Sequence, residues 1–123
     1  PVLRDREDLE AALAGFYDAM LEIYYRDSAM EPGCLVFATA PSSAAIEEIQ
    51  SRLEFGIEQL DALMRRRIQR SAPNADRAQI QAATQIASNT LIAFSARAKS
   101  GTSKSDLSQM GQQVAKSIIQ ILR

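Results

Sequence analysis

A chain of 123 residues, 46% hydrophobic and 24% charged, is long enough to bury one core and has the make-up of a single globular domain. A formal net charge of −1 excludes any general pull toward nucleic acid or an anionic membrane. With no histidine and one cysteine, Cys34, the chain cannot build a Ser-His-Asp or Cys-His nucleophile, a histidine- or cysteine-based zinc site, a Glu-x-x-His di-iron pattern or an intrachain disulfide.

No apolar run approaches the length of a membrane span. Pro1-Val2-Leu3-Arg4-Asp5 lacks the apolar core of a secretory signal and turns acidic at once. A lone cysteine fits a reducing compartment, so a cytoplasmic location without membrane contact is expected. The commonest general base near neutral pH is missing, and neither catalysis, cofactor nor metal is expected.

Helical signals run through the chain, with no strand pattern, repeat or second domain. Asp5 and Asp8 read as a cap and first-turn acid. Leu9, Leu13, Phe16, Met20 and Ile23/Tyr24 then recur at helical spacing, which predicts a first helix to about Arg26. Asp27–Glu31 connects it to a short apolar segment, Pro32-Gly33-Cys34-Leu35-Val36-Phe37-Ala38-Thr39-Ala40-Pro41. Pro32 suits the first turn of a short helix. A buried short helix wedged among longer ones is a way to hold a cavity open, which makes sensing of a small apolar ligand a candidate function.

Pro41-Ser42-Ser43 stops that segment and caps the next. Ile46, Ile49, Leu53, Gly56/Ile57, Leu60, Leu63/Met64 and Ile68 form one stripe along a long helix. Arg65, Arg66, Arg67 and Arg70 favour the negative end of its dipole. Ser71–Ala75 is a loop. Asp76 with Gln79 resembles a capping box for a fourth helix over about 77–99. Ile80, Ala83, Ala87, Leu91, Phe94 and Ala98 make one stripe on it, and Ala82, Ile86, Thr90 and Ala93 a second. A helix apolar on more than one side packs against its own domain and against a partner. Gly101 ends it as a C′ glycine. Ser103 with Asp106 opens the last helix, whose stripe is Leu107, Met110/Gly111, Val114, Ile118 and Ile121/Leu122, widened by Ala115 and Ile119.

Three features coincide. Gly33-Cys34-Leu35-Val36 starts a short helix after a long one, a long helix then ends in an arginine cluster, and Ala96-Arg97-Ala98-Lys99-Ser100-Gly101-Thr102-Ser103-Lys104-Ser105-Asp106-Leu107 leads into a final amphipathic helix. Together they resemble the C-terminal regulatory domain of tetracycline-repressor-like (TetR family) transcriptional regulators, from about Asp5 to Leu122. The resemblance implies an all-α, five-helix domain that binds an effector and dimerises. Its fourth and last helices would pair with their copies in a four-helix interface. The first three and part of the fourth would line a pocket, where a ligand changes the spacing of two N-terminal helix-turn-helix domains and so switches operator binding. No recognition helix with a basic, polar face occurs among these residues, so operator DNA would be reached through a domain absent from this chain.

Phe16, Tyr17, Met20, Tyr24, Phe37, Met64 and Phe94 are the candidates to line a pocket for a small apolar or aromatic effector, against the alternative that they are plain core. Tyr17, Tyr24, Asn89 and Thr90 are the candidates for polar contacts, against a structural hydrogen bond or exposure. The expected homodimer interface comprises Ile80, Ala83, Ala87 and Leu91 of the fourth helix with Leu107, Met110, Val114 and Ile118 of the last. Cys34 reads as a small buried residue before a redox sensor. Arg65-Arg66-Arg67 reads as a solvated helix end before a phosphate contact, and Glu47, Glu48, Glu54 and Glu58 as a solvated face before a metal site. Phe55 lies opposite its helix's stripe, where it is either a plain exposed aromatic or, the reading favoured, in contact with another helix or subunit. Two rival readings are a helical protein-interaction and dimerisation module without a ligand and a small ligand-binding or enzyme bundle, for which the sequence offers few convergent polar groups.

Overall fold

The computed structural model describes residues 6–26 and 43–123. The short helix expected over residues 33–40, with Cys34 and Phe37, lies outside the described residues. Within them every regular element is a helix: α1 (Arg6–Arg26), α2 (Ser43–Ser71), α3 (Arg77–Lys99) and α4 (Lys104–Ile121). None of these is long and apolar enough to cross a membrane.

The helix ends follow from local chemistry. Asp76 caps α3 through its side chain, which accepts from the Gln79 N–H at 2.8 Å, while the Gln79 side chain accepts from the Asp76 N–H at 2.8 Å. This is the expected capping box. Two of the N–H groups that a helix start leaves without partners are thereby satisfied. At the other end of α3, Gly101 takes φ +103°, a conformation that side chains resist. It lets the Thr102 N–H reach the Arg97 carbonyl at 3.0 Å and the Gly101 N–H reach that of Ala98 at 3.2 Å, a Schellman turn. Ser103 then caps α4, accepting from the Asp106 N–H at 3.1 Å.

These turns fold the helices into an antiparallel set. The turn at 72–76 returns α3 along α2, and the Gly101 turn returns α4 along α3. The far end of the second hairpin is tied by Gln79 Nε2, which donates to the Ile121 carbonyl at 3.0 Å. Helix α1 runs antiparallel to α4. Glu22 pairs with Lys104, Ser108 Oγ donates to Asp18 Oδ1 at 2.7 Å, and Tyr25 donates to the Thr102 carbonyl on the α3–α4 turn. The Glu22 carboxyl is held below its usual range by the hydrogen bond from Lys104 and by that ammonium's charge.

The core lies where α1 meets α3 and α4. Leu9, Leu13, Tyr17 and Leu21 of α1 are buried with Ala83, Ala87 and Phe94 of α3 and with Leu107, Ala115, Ile118 and Leu122 near α4. Each leucine or isoleucine so covered contributes roughly 1.5–3 kcal/mol. The buried row on α1 steps by four residues, so it drifts about 40° per step around the helix. The predicted stripe instead turned to Phe16 and Met20, which pack only partly buried beside the core. Among the described residues of α2, Met64 and Ile68 are the buried apolar side chains, Ser71 is buried at its end, and Leu53, Ile57 and Leu60 are half-buried. Phe55 is 64% exposed, so it is not buried against another helix among the described residues and stands as an exposed aromatic of the single chain.

Candidate functional site

Tyr17 is the centre of the predicted pocket set, and its environment is a packed one. Its ring meets Phe94 edge-on, with centroids 5.5 Å apart, and Phe16 at 6.2 Å. Its hydroxyl donates to the Ala87 carbonyl of α3 at 2.8 Å. Burial pushes its phenol well above the usual tyrosine range, opposed in part by the neighbouring Thr90 hydroxyl. Thr90 Oγ1 itself donates back to the Ile86 carbonyl at 2.7 Å. Tyr17 and Phe94 are therefore core, with the tyrosine's donor already used. Asn89 is exposed, on the side of α3 turned away from Tyr17, while Met20 and Tyr24 lie half-buried along α1.

Two of the predicted residues do meet at a cleft. Phe16 and Met64 line a cavity of about 50 Å³ between α1 and α2, together with Leu9, Ala12, Leu13, Leu63 and Arg67. Residues 9, 12, 13 and 16 present one face of α1, and 63, 64 and 67 the facing side of α2. The walls are apolar apart from Arg67. That side chain is half-buried, and its Nε is shut off from water with no hydrogen-bond partner. A guanidinium N–H without an acceptor is costly. As a set, the arginine run promised only a solvated helix end. Arg65 and Arg66 are exposed as expected, and only the rotation of about 100° per residue turns Arg67 inward.

A second, open groove of about 760 Å³ runs between α2 and α3, its walls carrying Asp61, Arg65 and Gln69 on one side and Arg77, Gln81 and Gln85 on the other. It is water-facing, and its lining is as much apolar, with Ala72, Pro73, Ala75 and Ile80, as polar. Thr84 lines its floor, with an Oγ1 that has no partner.

Of the eight side chains assigned to a subunit interface, Ile80, Ala83, Ala87, Leu91, Leu107 and Ile118 are buried within the chain's own core. Only Met110 and Val114 remain partly exposed. Side chains already covered by their own chain leave no area for a partner, so an interface on α3 and α4 has to use the neighbouring stripe. There Ile86 is 37% exposed, Ala93 is exposed and Ala82 is half-covered. No cluster of three or more potential metal ligands occurs among the described residues. Comparison with protein-family models, curated proteins and solved structures gives no significant match to this chain.

Proposed function

We propose that this chain is the effector-binding and dimerisation domain of a TetR-like transcriptional regulator, most often a repressor in that family, acting in the cytoplasm without catalysis. The observation that carries the proposal is the two-sidedness of α3. One face fills the core, while Ala82, Ile86 and Ala93 continue as an apolar stripe that is half-covered or exposed, and Met110 and Val114 of α4 are only partly buried. An apolar helix face outside a filled core is what a second copy would cover. In the five-helix arrangement that the resemblance implies, α3 and α4 pair with their copies across a two-fold axis.

The cleft between α1 and α2 supplies the sensing element. A ligand that binds better to one arrangement of the dimer shifts the population toward it, by no more than its differential affinity. Operator DNA is engaged through a helix-turn-helix domain outside this chain. The smallness of the cleft favours one rival, an interaction module that dimerises without a ligand.

Light scattering at micromolar concentration tests the dimer. The expected mass is that of two chains, falling to one for Ile86→Arg with helicity retained. A wild-type monomer contradicts the proposal.

A further inference from the structure

We propose that α2 is a movable wall, which opens as a unit while α1, α3 and α4 stay folded together. Its use, to widen the α1–α2 cleft for an effector, rests on the sensor reading above; the motion itself does not.

Three observations converge on α2. Tyr17 bonds to Ala87, Tyr25 to Thr102, Lys104 to Glu22, Ser108 to Asp18 and Gln79 to Ile121, and these bonds tie α1, α3, α4 and the α3–α4 turn to one another. None of them reaches α2. Within residues 50–71, the apolar side chains that α2 buries are Met64 and Ile68, whereas α3 buries Ile80, Ala83, Ala87, Leu91 and Phe94. Arg67 Nε and Ser71 Oγ of α2 are buried without a hydrogen-bond partner, as is the Oγ1 of Thr84, which lines the groove between α2 and α3. A polar group buried without a partner weighs against the closed packing, and water meets it once the helix lifts. Elements with few buried apolar contacts open at lower free energy than the core.

The space around α2 gives the motion a use. Helix α2 forms one wall of the groove of about 760 Å³ shared with α3 and one wall of the cleft of about 50 Å³ shared with α1. Small-molecule pockets take roughly 300–1,000 Å³, so the cleft has to widen before it holds an effector. Of its two walls, α1 is fastened through Tyr17, Asp18, Glu22 and Tyr25. The wall free to yield is α2.

Native-state hydrogen exchange, read by NMR on the 123-residue chain in low urea, tests the opening without any ligand. The amides of Met64 and Ile68 are expected to share one opening, with protection at least about tenfold below that of Ala87 and Ile118 and a urea slope shallower than that of global unfolding. Ile118 belongs to α4, which packs on α1 and α3. Ile118→Val is therefore expected to lower the protection of Ala87 by roughly two- to tenfold and leave that of Met64 unchanged, whereas Ile68→Val lowers both. Exchange of Met64 and Ile68 through global unfolding alone, or a loss of their protection in Ile118→Val equal to that at Ala87, overturns the movable wall and leaves the sensor reading standing. If the exchange pattern holds while no hydrophobic compound stabilises the chain, the opening stands and the sensor reading falls.

Discussion

Gly111 of α4 lies so close to Tyr17 of α1 that a methyl group on its Cα would sit 3.2 Å from both Cβ and Cδ2 of the tyrosine, and 3.5 Å from Cε2 of Phe94. The missing side chain lets two antiparallel helices close over one aromatic pair. Tyr17 thereby ties three helices: it packs on α4, stacks edge-on against Phe94 and hydrogen-bonds to Ala87.

Gly111→Ala is therefore expected to destabilise. Better helix propensity returns roughly 1 kcal/mol, but overpacking typically costs about 1–3 kcal/mol. Here the obstructing Tyr17 Cβ is fixed to the α1 backbone and has little room to yield. Gly15→Ala is the control, because nothing lies within 4 Å of the added methyl. It should stabilise by about 0.5–1 kcal/mol. Thermal melts followed by circular dichroism should move in opposite directions for the two variants.

Tyr17→Phe removes one buried hydrogen bond and should cost about 0.5–1.5 kcal/mol at neutral pH. Its larger signature is alkaline. Burial keeps the folded phenol protonated beyond the range where an unfolded tyrosine ionises, near pH 10. Above that pH the unfolded chain holds fewer protons than the folded one, so stability falls by up to about 1.4 kcal/mol per pH unit. Below it the contribution is intact. Denaturant titrations from pH 9 upward should show a steeper loss for the wild type than for Tyr17→Phe. Tyr25, raised by burial and by the Asp106 charge, leaves a weaker slope in the variant.

The two ends of α3 can be weakened separately. Asp76→Ala breaks the capping box and should cost about 1 kcal/mol. Gly101→Ala forces a side chain into positive φ and should cost roughly 1 kcal/mol or more. The sites share no partner, so the double variant should show the sum of the two losses in urea denaturation.

The parts of the fold legible in the sequence were the local ones. Asp76 with Gln79, Ser103 with Asp106 and Gly101 set the ends of α3 and the start of α4 through bonds within a few residues, and those bonds are present. Choice among rows on one helix was less legible. On α1, Phe16/Met20 and Tyr17/Leu21 differ by a rotation of about 100°, and which row is covered depends on where α3 and α4 lie. The same ambiguity placed Ile80, Ala83, Ala87 and Leu91 at an interface, although they are buried within the chain itself. Arg67 was hidden for a related reason. Inside a run of three arginines, only tertiary placement distinguishes the one that turns into an apolar cleft.

The central claim is that this domain senses a small apolar molecule. Its most direct test is a thermal-shift titration of the chain against a panel of hydrophobic compounds, repeated on Ala12→Phe, which fills the α1–α2 cleft. At a hundredfold excess over its dissociation constant a ligand stabilises by about 2.7 kcal/mol, several degrees for a chain of this size. The account predicts that one compound class raises the melting temperature of the wild type progressively with concentration and has no such effect on the folded Ala12→Phe variant. A folded wild type that no class stabilises, or an equal shift in the filled-cleft variant, would contradict it.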